Sequence, residues 1–160
     1  MTRRERRPTS RATGGLLSPC VCNTLRMATR AVTQMYDDIL RPSGLRVTQF
    51  SILAAIARGG EVTVSQLADA LAIDQTTLTR SIGLLERDGL TERVPHVDAR
   101  VKSMQLTAKG RKVLATTRPL WARAQHIVLR ELGTTAWADA RRRLGRLLHV
   151  AVEKRAARRR

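Results

Sequence analysis

SQLADALAIDQTTLTRSIGLLERDGLTER, residues 65–93, contains two short helical patterns separated by one break. Thr63 followed by Gln66 is a capping box, in which each side chain satisfies a backbone N–H that a helix start leaves unpaired. It predicts a short helix with Leu67, Ala68 and Leu71 facing inward. A turn is expected at Ile73 and Asp74, and Asp74 is a good N-cap for the helix that follows. There Leu78, Ile82 and Leu85 recur at helical spacing as an inner face, which leaves Gln75, Thr76, Thr77, Thr79 and Arg80 outside. After Gly89 the period changes. Arg93-Val94 and Val101–Leu106 read as two short strands around a polar connector, a candidate wing beside a helix-turn-helix.

Upstream, Ser18 and Pro19 are expected to start a helix running to about Leu40, with Val21, Leu25, Ala28, Val32, Met35 and Ile39 on one buried stripe. RPSGL, residues 41–45, ends it. Thr48 is expected to cap a second helix through Phe50, Ile52, Leu53 and Ile56 that stops at Gly59-Gly60. Downstream of Thr107 the chain returns to helix, with Pro119 expected to kink or end it. Thr134 is expected to cap a last helix carrying Trp137, Ala140, Leu144, Leu147, Leu148 and Ala151. The first and the two last helices have too much apolar surface for one chain, so a second copy is expected to cover it. The predicted fold is mainly α with a small β-hairpin wing. Its divisions are a basic arm at 1–17, a domain at 18–152 and a basic tail at 153–160. Within the domain, the helix-turn-helix lobe spans about 45–108 and the helices expected to meet a second copy span about 18–40 and 109–152.

Composition narrows the partner. The 160 residues hold 30 Lys plus Arg against 13 Asp plus Glu, a net charge of +17 that favours a polyanion. Both termini are basic, yet the body between them keeps a positive excess of its own, so the inference to nucleic acid does not rest on the arms. The longest apolar run, Ile52–Ala57, is too short to span a bilayer, and no membrane role is expected. MTRRERRPTSRATGG reads as neither a secretory nor a twin-arginine signal, and a cytoplasmic location is expected. Cys20 and Cys22 give no disulfide framework. Within one intact helix they point away from each other and are not expected to pair. His96, His126 and His149 lie apart with no ligand-spaced neighbours, so no metal or other cofactor is expected. No nucleophile–base–acid set or phosphate loop suggests an enzyme.

The order of helices, the string at 65–93, the wing motif Asp98-x-Arg100 and the exit QLTAKGR at 105–111 together resemble the MarR family of bacterial regulators over about residues 18–152. The resemblance implies a two-fold homodimer that binds a palindromic operator in duplex DNA, each subunit placing its recognition helix in a major groove and its wing at a minor groove. The candidate DNA contacts are then Gln75, Thr76, Thr77, Thr79 and Arg80, with Arg93, Arg100 and Lys102 on the wing. Asp98 would orient the wing arginine. Read without the resemblance, the helix residues are equally an ordinary solvated face, and the competing reading of the wing cations is solubilising charge, more so for Arg93 and Lys102 than for Arg100.

The resemblance further implies a repressor released by a small effector, such as an aromatic carboxylate. Its cavity would be lined by Arg26, Met27, Arg30, Tyr36, Ile39, Arg46 and Phe50. The alternative is a thiol switch. Cys22, Arg30 and Tyr36 reproduce the spacing of the family's organic-peroxide sensors, although Arg26 replaces their second tyrosine and the C-terminal resolving cysteine is missing. A buried, inert Cys22 is the competing reading. A nonspecific nucleoid or RNA-binding protein is a third function class, disfavoured by the helix order and the wing.

Overall fold

The computed structural model describes residues 20–95 and 102–157. Ser18, Pro19, His96, Asp98, Arg100, Val101, the whole N-terminal arm and residues 158–160 lie outside the described residues, and with them the expected start of the first helix. The chain divides into two units, Met1–Gln34 and Met35–Arg160.

Helix α1 (Val21–Leu40) begins in the first unit and ends in the second. Cys20 stands just before it, its carbonyl accepting from the Thr24 N–H at 3.0 Å. The expectation that the whole stripe is buried fails within one chain: Val21, Ala28 and Val32 are exposed. Tyr36 and Leu40, near the end of the helix, are buried.

The second unit continues with a 3-10 turn (Arg41–Ser43), α2 (Val47–Gly59), β1 (Val62–Thr63), α3 (Val64–Leu71) and α4 (Gln75–Arg87). It ends with β2 (Thr91–Val94), β3 (Ser103–Leu106), α5 (Ala108–Leu132) and α6 (Thr134–Ala157). The strands form one antiparallel sheet in the order β1-β3-β2, with Val62 opposite Met104 and Arg93 opposite Met104 on the other side. Its core joins Phe50, Leu53 and Ile56 of α2, Leu67 of α3, Leu78, Ile82 and Leu85 of α4, Met104 and Leu106 of β3, and Leu114 of α5. Burial of such side chains is worth about 1.5–3 kcal/mol each, so this cluster is the main source of the lobe's stability.

Four sequence expectations are corrected. Thr48 does not cap α2. The helix opens at Val47, whose N–H donates to Asp37 Oδ1 at 2.8 Å, so the cap reaches across from α1. Of the two outcomes expected at Pro119, an end of the helix is excluded, since α5 runs through it to Leu132. Pro119 and Ala115, whose carbonyl it leaves unpaired, are both exposed, so water can take the lost bond. Thr134 is the first residue inside α6 rather than its cap, and the Gly133 carbonyl accepts from Trp137. Finally, α6 continues through Ala157, beyond the boundary placed at 152.

Candidate nucleic-acid interface

The helix-turn-helix is built from local caps. Thr63 Oγ1 accepts from the Gln66 N–H at 3.1 Å while Gln66 Oε1 accepts from the Thr63 N–H at 2.9 Å, which sets the start of α3. Helix α3 ends at Ala72, whose φ of 52° lies in the left-handed region that a residue with a Cβ adopts only at a cost. That reversal ends α3 and opens the turn into α4. Asp74 Oδ1 accepts from the Thr77 N–H at 2.9 Å. The Thr77 hydroxyl bond, followed by this backbone bond, holds the Asp74 carboxyl below the usual aspartate range. A charge at this end also complements the helix dipole.

Helix α4 is anchored by Leu78, Ile82 and Leu85, all buried, and presents Gln75, Thr76, Thr77, Thr79 and Arg80 to solvent. Thr77 is partly committed to the cap. Arg80 has no carboxylate partner among the described residues. Arg87, not singled out from the sequence, is also exposed. It lies seven residues beyond Arg80 and so extends the same face, a signal that helical spacing carried.

The end of α4 is fastened to the start of α5. Thr107 Oγ1 donates to the Gly89 carbonyl at 2.7 Å, and Lys109 Nζ donates to the Asp88 carbonyl at 2.7 Å. Gly110 lies so close to Leu90 that a Cβ there would stand 1.9 Å from the Leu90 carbonyl oxygen. Thr107 also caps α5, accepting from the Gly110 N–H at 2.9 Å. This explains much of the exit string: Thr107, Lys109 and Gly110 all serve the turn after α4. None of these residues was singled out as functional.

The wing is described only at its base. Lys102 is exposed, and its carbonyl accepts from the Val64 N–H at 3.0 Å. Arg93 is not free: its Nε donates to Glu86 Oε1 of α4 at 2.9 Å. Asp98 and Arg100 fall outside the described residues.

Tyr36, Arg46 and Phe50, the candidate effector residues of the second unit, each have a side-chain partner among the described residues. Tyr36 donates its hydroxyl proton to Gln125 Oε1 at 2.6 Å, and burial raises its pKa above the ordinary value. Arg46 pairs with Asp37 Oδ2 at 3.1 Å, and Phe50 stacks on Trp121 with ring centroids 5.8 Å apart. A cleft of about 240 Å³ lies elsewhere, lined by Ala57, Leu106, Arg111, Leu114, Ala115 and Arg118. In the first unit Arg26, Met27 and Arg30 are exposed. Cys20 and Cys22 are both free thiols and both exposed, which removes the buried reading of Cys22 within one chain. Cys20 stands at the N-cap of α1, its carbonyl accepting the first helical bond from the Thr24 N–H, and Cys22 lies one residue inside the helix start. Among the described residues, no group of three His, Cys, Asp or Glu is placed to hold a metal, and no helix is long and apolar enough to cross a membrane.

Comparison with known proteins agrees with this geometry. Residues 43–100 match the model of the MarR family. The regulator PecS of Dickeya dadantii is 32% identical over 94 residues, 56% of this chain and 57% of its own length. The uncharacterized regulator YwoH of Bacillus subtilis is 28% identical over 88 residues, 55% of this chain and 64% of its own. The chain thus spans less than two thirds of either curated relative. The crystal structure of the M. tuberculosis transcriptional regulator MosR in complex with DNA superposes with a TM-score of 0.79 at 43% identity, covering 85% of this chain and 98% of that one. A mutant MarR of E. coli with operator DNA gives 0.73 at 22% identity, a likeness of fold alone. With the helix-turn-helix matched by the family model and a regulator 43% identical covered over 98% of its length, this chain belongs to the MarR family of transcriptional regulators, which are not enzymes.

Proposed function

We propose that the chain is a cytoplasmic, dimeric, sequence-specific DNA-binding repressor. The observation that carries this reading is α4, capped and anchored on three buried side chains, with Gln75, Thr76, Thr79 and Arg80 left to solvent. Such residues at the start of a recognition helix reach base edges in a major groove, and Arg80 suits bidentate contact with guanine. Arg100, oriented by Asp98, takes the adjacent minor groove, and Lys102 meets phosphate. MosR, the regulator of 43% identity, was crystallised with DNA.

The dimer reading rests on apolar surface. Leu144, Leu147, Leu148, Val150 and Val152 of α6 are exposed, as are Val21, Met27 and Val32 of α1. A second copy buries them and sets two recognition helices about 34–36 Å apart for a palindromic operator. The effector is a small aromatic carboxylate acting through Arg26, Met27, Arg30, Tyr36, Arg46 and Phe50. A ligand carboxylate at Arg46 competes with Asp37, the same side chain that caps α2.

A second reading, redox control through Cys22, is favoured by the exposure of both thiols. Footprinting on the promoter region of the protein's own gene tests the first claim: a short protected palindrome supports it, and uniform coating of the duplex points to a nonspecific architectural protein. Adding aromatic acids or an organic hydroperoxide to the same assay separates the switches. Release by hydroperoxide that is lost in Cys22→Ser supports the thiol. Release by a carboxylate alone removes it.

A further inference from the structure

We infer that Arg93 is a positioning residue, held by Glu86 to fix the wing against the recognition helix, and is not itself a phosphate contact. The inference rests on the DNA-binding reading above. Glu86 lies in the last turn of α4, where local rules disfavour an acid because the helix dipole presents its negative end there. Its side chain is 24% exposed and receives Arg93 Nε at 2.9 Å, so the guanidinium supplies the countercharge that the position lacks. Arg93 belongs to β2, and its neighbour Glu92 accepts from Gln105 Nε2 of β3 at 2.9 Å at a paired register position. The two bonds tie α4 to β2 and β2 to β3, the two strands that carry the wing.

An exposed ion pair contributes little to stability, and the Arg93 side chain is 66% exposed. What the pair controls is direction. Drawing Arg93 away to a phosphate would leave the mostly covered Glu86 carboxylate unpaired at the helix's negative end and close to a polyanion. The recognition helix and the wing must meet two grooves at once, so their relative angle matters more to binding than to folding.

The two roles for Arg93 predict opposite signs for one substitution. If Glu86 positions Arg93, Glu86→Gln loosens the wing and weakens operator binding by roughly two- to fivefold, as Arg93→Gln does. The slope of log affinity against log salt stays at the wild-type value in both. The exchanged pair Glu86→Arg with Arg93→Glu regains affinity, and the thermal midpoints stay close to wild type. If instead Arg93 neutralises a phosphate, Glu86→Gln frees it and tightens binding on every duplex, and Arg93→Gln lowers the slope by about 0.9. Either of those results overturns the inference, as does an exchanged pair that stays weak. A wild-type chain that binds no duplex overturns the DNA reading itself, and the role of the pair with it. A wild type with a defined operator but a reduced slope in Arg93→Gln overturns the pair alone.

Discussion

Helices α4 and α6 carry the same sequence signal and meet different fates. Both repeat apolar residues at spacings of three and four. In α4, Leu78 and Leu85 are 0% exposed, whereas in α6 Leu144, Leu147 and Leu148 stand at 42%, 38% and 51%. The difference is the presence of a neighbour. Helix α4 packs among α3, β2 and the rest of the lobe, while no described residue of α6 is fully buried. Periodicity therefore shows that a face is built for burial, and leaves open whether the partner belongs to the same chain.

The largest effect is expected where α4 is most enclosed. Leu78→Ala should cost about 2–5 kcal/mol, seen as a lower thermal midpoint in a variant that still sediments as a dimer. Leu144→Glu should instead dissociate the dimer in sedimentation, and its lowered midpoint should no longer rise with protein concentration as the wild type's does. A Leu144→Glu variant that stays dimeric, with a midpoint that still rises with concentration, would place the partner of Leu144 within the chain and end the contrast.

A pair of glycines sharpens it. Gly110→Ala forces a Cβ against the Leu90 carbonyl, a backbone atom that cannot easily move, and should cost about 1–3 kcal/mol in chemical denaturation. A Cβ added at Gly145 of α6 would meet nothing within 4 Å, so Gly145→Ala should stabilise a dilute monomer by about 0.5–1 kcal/mol. Lower affinity between copies in the same variant would show that the partner approaches at Gly145.

Caps come next. Thr63→Ala should cost about 1 kcal/mol by thermal unfolding, while Thr134→Ala, which removes no cap, should cost less than about 0.5 kcal/mol. Asp74 adds a pH dependence. Its folded pKa is depressed, so its contribution is present above the unfolded value near 3.8 and lost as pH falls through the folded value. Asp74→Asn should flatten that acid limb of the stability profile.

A similarly small effect concerns Tyr36, which joins the end of α1 to α5 through Gln125. Tyr36→Phe should cost about 0.5–1 kcal/mol. Burial raises the Tyr36 pKa, so its contribution holds below the ordinary value of 10.0 and falls as pH rises through the folded value. Alkaline unfolding of wild type and Tyr36→Phe should therefore converge.

What could be read from the residues alone was whatever is settled within one turn of chain. The caps Thr63–Gln66 and Asp74–Thr77 join residues three apart, and the inner face Leu78, Ile82 and Leu85 follows helical spacing, so the helix-turn-helix and its exposed row of Gln75, Thr76, Thr79 and Arg80 were legible. Contacts distant along the chain were not. Asp37 caps α2 from ten residues upstream, and β1 exists only because β3 pairs with it. Arg93, read as a DNA contact, is engaged by Glu86. Tertiary structure decided these because a side chain's partner depends on where the backbone returns, and the cost of closing that loop is met only by the core as a whole. Local hydrogen bonds need no such return, which is why the lobe's outline was written in its residues and its couplings were not.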